Sequence, residues 1–561
     1  MASQGVETEK KYDVGEAAVV PSLADLPGVA RVGEPHLAIL EAVYFDTDRQ
    51  ALAFRHITLR RRTGGTDAGW HLKLPAESSA EAAAGTASGA KSGAKTVTGS
   101  DAEPQQRREL IAPLGQPAVV PDILLAHLYA YLRGADLAPV VRLETHRTTY
   151  PLYGEASEHL ADLADDRVQA EALGGASIGG ASLDEAGPDG AGRTQRWREW
   201  EVELVHGGPE LFPAAEDALA AAGARPAQHG SKLARALGGT RPISEPDQGD
   251  ADEEAAETED TAGTAPGKKS PASSVVTAYL AGQIHQILAH DPGVRLEEPE
   301  AVHNMRSACR RVRSALAAYR RLYSAVAVRR LRDELRWLGR ILGGPRDAEV
   351  MRDRLLGHVD ELPPGQAAAA VKERVERELG DRYNAGSRKL QEVLLSERYF
   401  RLLDDLEAFR DHPPVRPEGA APARKVAGKL VGKAAKRLRR SHKAAKDARR
   451  GAPHETALHQ VRKDAKRLRH LAESLHPVYG KRAAKIAKAA HRQQKILGEF
   501  HDSVIAADLL AKLGSGPDLP EPVASAYVTL RTRQVQLAAD AESKYLKARK
   551  KSRKFLKGGV I

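Results

Sequence analysis

The sequence predicts a multidomain α+β protein, an antiparallel β region followed by an all-α region. Three observations carry that prediction. Up to about residue 240, charged and apolar residues alternate with period two, as strands do. From Val275 the period becomes helical, with short connections that favour antiparallel bundles. A basic helix in that second region occurs twice, each copy trailed at matched distance by a second shared motif.

At 561 residues the chain exceeds one ordinary core, so two or more domains are expected. A single cysteine, Cys309, excludes disulfides within the chain and suits a reducing compartment. The first residues carry no apolar core for export, and no apolar run approaches the ~20 residues of a membrane span. The expected location is cytoplasmic. The net charge of +10 hides a division: residues 275–561 hold 59 Lys+Arg against 33 Asp+Glu, whereas residues 1–274 are net acidic. Such asymmetry points to a polyanionic partner for the second region.

Along the first region, Val6-Glu7-Thr8-Glu9-Lys10-Lys11-Tyr12 puts Glu7, Glu9 and Lys11 on one strand face. Arg60 shares a face with Arg62, His71 with Lys73, Arg107 with Glu109, and Glu201 with Glu203. Arg142 and Arg147 differ in parity, so their segment needs a bulge or one outward side chain. Alternating charges usually mark the solvated face of a sheet. A sheet closed on itself would turn them into a charged interior instead, and period alone leaves both open. The Ala/Gly/Ser-rich stretch 76–103 reads as a flexible insertion and 174–192 as a second glycine-rich loop. A helix at 213–222 and the basic segment Ser231-Lys232-Leu233-Ala234-Arg235 close residues 1–240. Residues 241–274 read as an acidic, disordered linker.

Candidate helices follow near 275–290, 299–323, 325–342, 346–358, 366–384, 396–409, 424–449, 454–475, 480–513 and 520–556. A proline-rich segment separates two copies, about 275–410 and 423–557. In the first, His303, Arg306, Arg310 and Arg313 step by three and four residues along one face, beside Met305, Cys309 and Val312. In the second, His459, Arg462, Lys466 and Arg469 repeat the steps beside Leu458, Val461, Ala465 and Leu468. Leu342-Gly343-Gly344-Pro345-Arg346-Asp347 trails the first copy and Leu497-Gly498-Glu499-Phe500-His501-Asp502 the second. Lys429, Lys433, Lys436, Arg440 and Lys443 form a further stripe, as do Lys481, Lys485, Lys488, Arg492 and Lys495. Without acidic partners four residues on, these stripes repel themselves, and an anionic ligand would relieve the cost.

Glu7-Thr8-Glu9-Lys10-Lys11 matches the E-x-E-x-K signature of CYTH domains, members of the triphosphate tunnel metalloenzymes. The succession Tyr44-Phe45-Asp46-Thr47, Leu59-Arg60-Arg61-Arg62, Lys73, Arg107 with Glu109, Arg147, Asp165-Asp166-Arg167-Val168, Glu201 with Glu203 and Ser231-Lys232 extends the match. Residues 1–240 thus resemble a near-complete CYTH domain. The resemblance implies an eight-stranded antiparallel tunnel in which Arg60, Arg62, Lys73, Arg107, Arg147 and Lys232 hold a triphosphate. It also implies that Glu7, Glu9, Glu201 and Glu203 hold Mg²⁺ or Mn²⁺, and that Glu9, Lys11 and Glu201 serve the chemistry. The duplicated H-x-x-R-x-x-x-[RK]-R-x-R element resembles the CHAD domain, over residues 275–557. That resemblance implies two four-helix bundles related by pseudo-symmetry, whose basic surface binds inorganic polyphosphate. The residues it implicates are His303, Arg306, Arg310, Arg313, Lys433, Lys436, Arg440, His459, Arg462, Lys466, Arg469, Lys485 and Lys488.

The sequence supports metal-dependent hydrolysis of a small linear triphosphate best, tripolyphosphate above all. A polyphosphate-binding scaffold without turnover, on polyphosphate granules, is the second reading. Nucleic acid is disfavoured, because the cationic stripes lack the aromatics, Asn and Gln that contact bases. The histidines could bond phosphate or, equally, Asp347 and Asp502.

Overall fold

Alternation builds the first unit with its usual polarity reversed: charges turn inward and apolar side chains outward. The structure is a computed structural model that describes residues 3–75, 104–173, 194–238, 267–516 and 519–557. The described residues through 238 form one compact unit and those from 267 a second. Both glycine-rich loops, at 76–103 and 174–192, and residues 241–266 of the acidic linker lie outside the described residues; the end of the stretch expected to be disordered, 272–274, is instead the start of a helix.

The first unit is one antiparallel sheet of β1 (Ser3–Val14), β2 (Arg31–Val32), β3 (His36–Asp46), β4 (Thr58–Thr63), β5 (Gly69–Pro75), β6 (Gln105–Ala112), β7 (Ala138–Tyr153), β8 (His159–Ala172), β9 (Thr194–Leu204) and β10 (Arg225–Pro226). The long strands run in the order β1-β6-β5-β4-β3-β7-β8-β9, and β9 pairs back on β1, closing an eight-stranded barrel. The short β2 and β10 attach to β7 and β1. Directly opposed residues project to the same side. The register therefore gathers Glu7 with Arg107, Glu9 with Glu203, Lys11 with Glu201, Lys73 with Glu109 and Arg147 with Asp166 on the inner face.

The other parity makes the hydrophobic core, on the outside of the wall. Tyr12, Trp70, Leu72 and Trp200 are buried there. Helix α1 (Asp122–Leu132) lays Leu124, Leu128 and Leu132 on Trp70 and Leu72, while α2 (Leu211–Ala221) covers Tyr12 and Trp200. The short α3 (Lys232–Ala236) instead buries Leu233 and Ala236 against Trp197 and Tyr44, which face inward. Helix α1 falls where the sequence was read mainly as strands. Its residues are apolar on nearly every side, which masks the helical period. The parity conflict resolves without a bulge between the two arginines. Arg147 faces in, opposite Asp166, while Arg142 turns out to Glu171 at 3.5 Å.

In the second unit, α4 (Ala272–Ala289), α6 (Ala301–Ala318), α7 (Ala325–Ile341) and α10 (Glu397–Asp411) form one four-helix bundle, with the short α5 (Asp291–Arg295) following α4. Helices α11 (Ala423–Asp447), α12 (Ala452–Ser474), α14 (Lys481–Leu513) and α15 (Glu521–Lys557) form the other, with α13 (His476–Tyr479) between α12 and α14. Between α7 and α10, α8 (Gly343–Val359) and α9 (Gln366–Leu394) make a hairpin, which shares a core with α14 and α15 through Leu355, Val375, Leu510 and Tyr527. The copies differ at one point: only Leu342 separates α7 from α8, whereas its counterpart Leu497 lies inside the unbroken α14. Pro345, which lacks an N–H, stands where the second copy has Phe500. Helix α9 runs ten residues beyond its expected end at 384. The Asn384-Ala385-Gly386-Ser387 stretch resembles a stop signal, but Gly386 serves close packing. A Cβ there would lie 2.8 Å from the Pro345 backbone nitrogen.

Candidate functional site

The barrel encloses a cavity of about 750 Å³. All six expected phosphate-holding cations line it: Arg60, Arg62, Lys73, Arg107, Arg147 and Lys232. So do the expected carboxylates Glu7, Glu9, Glu201 and Glu203, together with Lys11. The walls are polarised. Strands β1, β8 and β9 supply most carboxylates, while β4 to β7 supply most cations.

Several cations are engaged with acids. The Lys11 ammonium bridges Glu9 at 2.9 Å and Glu201, and Lys73 holds Glu7 at 2.6 Å. Arg147 grips both Asp166 oxygens, at 2.7 and 2.6 Å, and reaches Glu201 at 2.6 Å. Lys232, 8 % exposed, places its Nζ 2.8 Å from Asp166, 2.7 Å from Glu199 and 2.6 Å from Glu201. Other guanidiniums keep more donors toward the lumen. Arg60 donates to the Tyr44 hydroxyl at 3.2 Å, Arg107 to the Gly230 carbonyl at 2.7 Å, and Arg62 pairs with Asp67.

These contacts set the charge states. Burial pushes the Glu9 carboxyl up, but Lys11 and Lys73 outweigh it and hold it at about 2. Burial likewise opposes the Glu201 carboxylate, yet Lys11, Lys232 and Arg147 hold it well below the usual range. Glu203 behaves oppositely: burial, then the negative charge of Glu7 and Glu9 against the opposing pull of Lys73, pushes it up to about 7. Burial, reinforced by Arg60 and Arg147, lowers the Arg62 guanidinium to about 9.

Asp166, Glu199 and Glu201 bring carboxylate oxygens within 4.8 Å of one another, a spacing that could hold a metal ion. In this structure Lys232 stands among them. Glu7, Glu9 and Glu203 line the lumen together, and their oxygen donors suit a hard divalent cation. Glu199, Glu109 and Tyr44 line or adjoin the lumen and were not singled out from the sequence as site residues. Glu199 was legible there, since the inward parity of Glu203 and Glu201 continues to it.

The helical unit holds a second cavity, about 1,020 Å³, between α6, α11 and α12. It gathers the two repeat helices: Arg310 and Arg313 come from one copy, His459, Arg462 and Lys466 from the other, with Lys433 from α11. Burial, then Arg310, Arg462 and Arg313, pushes the Lys466 ammonium down to about 6, and Arg310 falls to about 10 for like reasons. The trailing motifs now have a physical role. Arg306 pairs with Asp347 at 2.7 Å, and Arg462 acts on the Asp502 carboxyl. Gly343 and Gly498 leave room for those same arginines, whose atoms lie 3.3 and 3.8 Å from where a Cβ would stand.

Not every expected residue joins this cavity. Arg306 is held beside it by Asp347, and His303 is exposed on α6. Arg469 is turned to Glu473 at 2.6 Å and His491 at 2.7 Å. Lys436, Arg440, Lys485 and Lys488 are exposed outside the lining. On α11 the lining positions are Lys425, Lys429, Lys433 and Arg437, a strict four-residue step instead of the heptad step read from the sequence. Arg306 occupies Asp347, the acid within the first copy's trailing motif, and Asp502 feels the charge of Arg462. The His459 ring instead lies 4.6 Å from that of His501, and burial with Lys463 and His501 lowers it to about 4.

A closed eight-stranded tunnel with a charged lumen, followed by paired bundles carrying a duplicated basic helix, defines a CYTH barrel fused to a CHAD region. Residues 278–511 match the CHAD domain family. Over 513 residues the chain is 35% identical to the uncharacterized Mycobacterium tuberculosis proteins MT2285 and Rv2226, covering 90% of its own length and 88% of theirs. It belongs to one family with these two proteins. Among solved structures, PptA from Streptomyces chartreusis shares 20% identity (TM-score 0.44; 50% of this chain, 100% of that one). The CHAD domain from the plant Ricinus communis shares 27% (TM-score 0.41; 51% and 94%). No helix among the described residues is long and apolar enough to cross a membrane.

Proposed function

We propose that the barrel hydrolyses a small linear triphosphate, inorganic tripolyphosphate above all, with Mg²⁺ or Mn²⁺, and that the helical unit binds inorganic polyphosphate. One observation carries the reading: the cations and carboxylates expected for such chemistry converge on a single lumen of about 750 Å³. A triphosphate needs its charge neutralised before water can attack, and Arg60, Arg62 and Arg107 offer forked donors for its oxygens. Glu9, held ionised by Lys11 and Lys73, suits binding a divalent cation better than proton abstraction. When bound, the divalent ion would neutralise charge on the phosphate oxygens as the terminal P–O bond breaks. Glu7, Glu9 and Glu203 are the residues to hold it; Lys11, fixed between Glu9 and Glu201, orients substrate beside them.

The test is phosphate release from tripolyphosphate by the full chain. Wild type should release phosphate with Mg²⁺ or Mn²⁺ and Glu9→Gln should not; release by neither, or equally by both, refutes the reading. For the helical unit, long-chain polyphosphate should resist displacement by duplex DNA at equal phosphate concentration. Binding should weaken with salt as counter-ions compete.

A further inference from the structure

We propose that Lys232 is the resident cation of the Asp166–Glu199–Glu201 triad, so that its ammonium and a divalent ion exclude one another there. The proposal rests on the reading that the tunnel takes up a divalent metal, and assigns that metal to the Glu7–Glu9–Glu203 side.

The triad has the spacing of a metal site, but a cation or an N–H donor already stands beside each of its oxygens. Asp166 receives Arg147 on both oxygens and Lys232 on one. The Lys232 Nζ lies 2.7 Å from one Glu199 oxygen, which accepts no hydrogen bond, and the Trp197 indole N–H donates to the other at 2.6 Å. Glu201 receives Lys11 and Lys232 on one oxygen and Arg147 on the other. Three carboxylates face Lys232, Arg147 and a share of Lys11, with the Arg235 guanidinium 3.8 Å from Glu199, so the group is close to neutral as it stands. Of the triad only Glu201 lines the lumen, and there the Lys232 ammonium already sits against it, whereas Glu7, Glu9 and Glu203 all line the lumen. Inserting two further positive charges into a near-neutral, buried group would be opposed by both repulsion and desolvation. Glu7, Glu9 and Glu203, by contrast, share Lys73 and part of Lys11 among three carboxylates.

The chain around Lys232 is built to keep the ammonium there. Ser231 caps α3 by accepting the Ala234 N–H at 3.0 Å. Leu233 and Ala236 are sunk in an apolar cluster with Tyr44, Leu143, Val168 and Trp197, whose parity is that of the triad and faces inward, and Arg235 pairs with Asp13. These anchors fix the Lys232 backbone beside the triad. The lysine is thus a specificity device: it leaves one carboxylate cluster of the tunnel open to a divalent ion and closes the other.

Mn²⁺ titration of the full chain, followed by the loss of free-Mn²⁺ EPR signal, tests this without any turnover. Lys232→Met should gain one Mn²⁺ per chain over wild type, and Lys232→Arg should not. In an otherwise wild-type chain, Glu203→Gln should weaken Mn²⁺ binding tenfold or more, whereas Glu199→Gln should leave it unchanged. Lys232→Met should melt lower than wild type in EDTA and recover several degrees more on adding Mn²⁺, because the metal then replaces the missing charge. An unchanged stoichiometry in Lys232→Met, or a tenfold loss in Glu199→Gln, overturns the assignment. If Lys232→Met does not fold, the Glu199 and Glu203 pair decides alone. Loss of tripolyphosphate cleavage with this Mn²⁺ pattern intact would sink the functional reading and leave the lysine assignment standing.

Discussion

Replacing Lys466 by methionine should stabilise the helical unit and weaken its grip on anions at once. The lysine is partly buried beside Arg310, Arg313 and Arg462, and burial followed by those guanidiniums pushes its ammonium from 10.5 to about 6. At pH 7 the folded lysine is mostly neutral while the unfolded one is protonated. Taken at face value, the gap between pH 7 and the unfolded value is worth ~5 kcal/mol. The cavity opens to water and counter-ions, which screen the repulsion, so about 1–2 kcal/mol is the expected cost. Because the folded pKa is lowered, the unfolded chain binds more protons between about pH 6 and 10.5, and wild-type stability rises with pH across that window. Methionine keeps the stem's packing and removes the charge. The variant should melt about 2–6 °C higher at pH 7, with a flatter pH profile. Polyphosphate should reverse the penalty by holding the ammonium protonated, so its binding near pH 7 takes up a proton. Titration calorimetry in buffers of different ionisation enthalpy reads that proton directly. If Lys466→Met melts no higher than wild type and the two pH profiles coincide, the reasoning about this cluster is wrong.

Three further outcomes follow from other sites. Glu203, raised to about 7, binds a proton more readily in the folded state, so metal-free stability should fall as pH rises from about 4.5 through 7. The loss should be at most ~3 kcal/mol, and melts in EDTA should show Glu203→Gln flattening it; an unchanged slope refutes the placement. Gly64 sits at φ +78° in the β4–β5 turn, and a Cβ there would lie 2.1 Å from the Ile39 carbonyl oxygen. Gly64→Ala should cost about 3 kcal/mol, and a denaturation midpoint equal to wild type would contradict that geometry. Burial pushes the Cys309 thiol up to about 12, so native protein at pH 8 should resist iodoacetamide and label only when unfolded. Stoichiometric labelling of the folded chain would contradict its burial.

Much of this molecule was readable along the chain, because its interactions repeat at short, regular intervals. Period two put Glu7, Glu9 and Lys11 on one side of a strand, and steps of three and four put Arg306, Arg310 and Arg313 on one side of a helix. The Arg142 and Arg147 conflict was visible too, but which one faced inward was not. Asp166, across the sheet, decides it, and that pairing joins β7 to β8.

By itself the sequence determined which residues share a face, where strands give way to helices, and that a basic helix occurs twice. Whether the charged strand face looked to water or into a lumen depended on β9 returning to β1, a pairing some 190 residues apart that no local period encodes. Tertiary structure alone decided which cations are spent on acids. It committed Lys232 and Arg147 to buried carboxylates, held Arg306 on Asp347, and left Lys466 crowded by arginines from the other repeat. The reason is physical: a side chain's direction follows from its own backbone, whereas its charge balance depends on every neighbour the fold brings within a few ångströms.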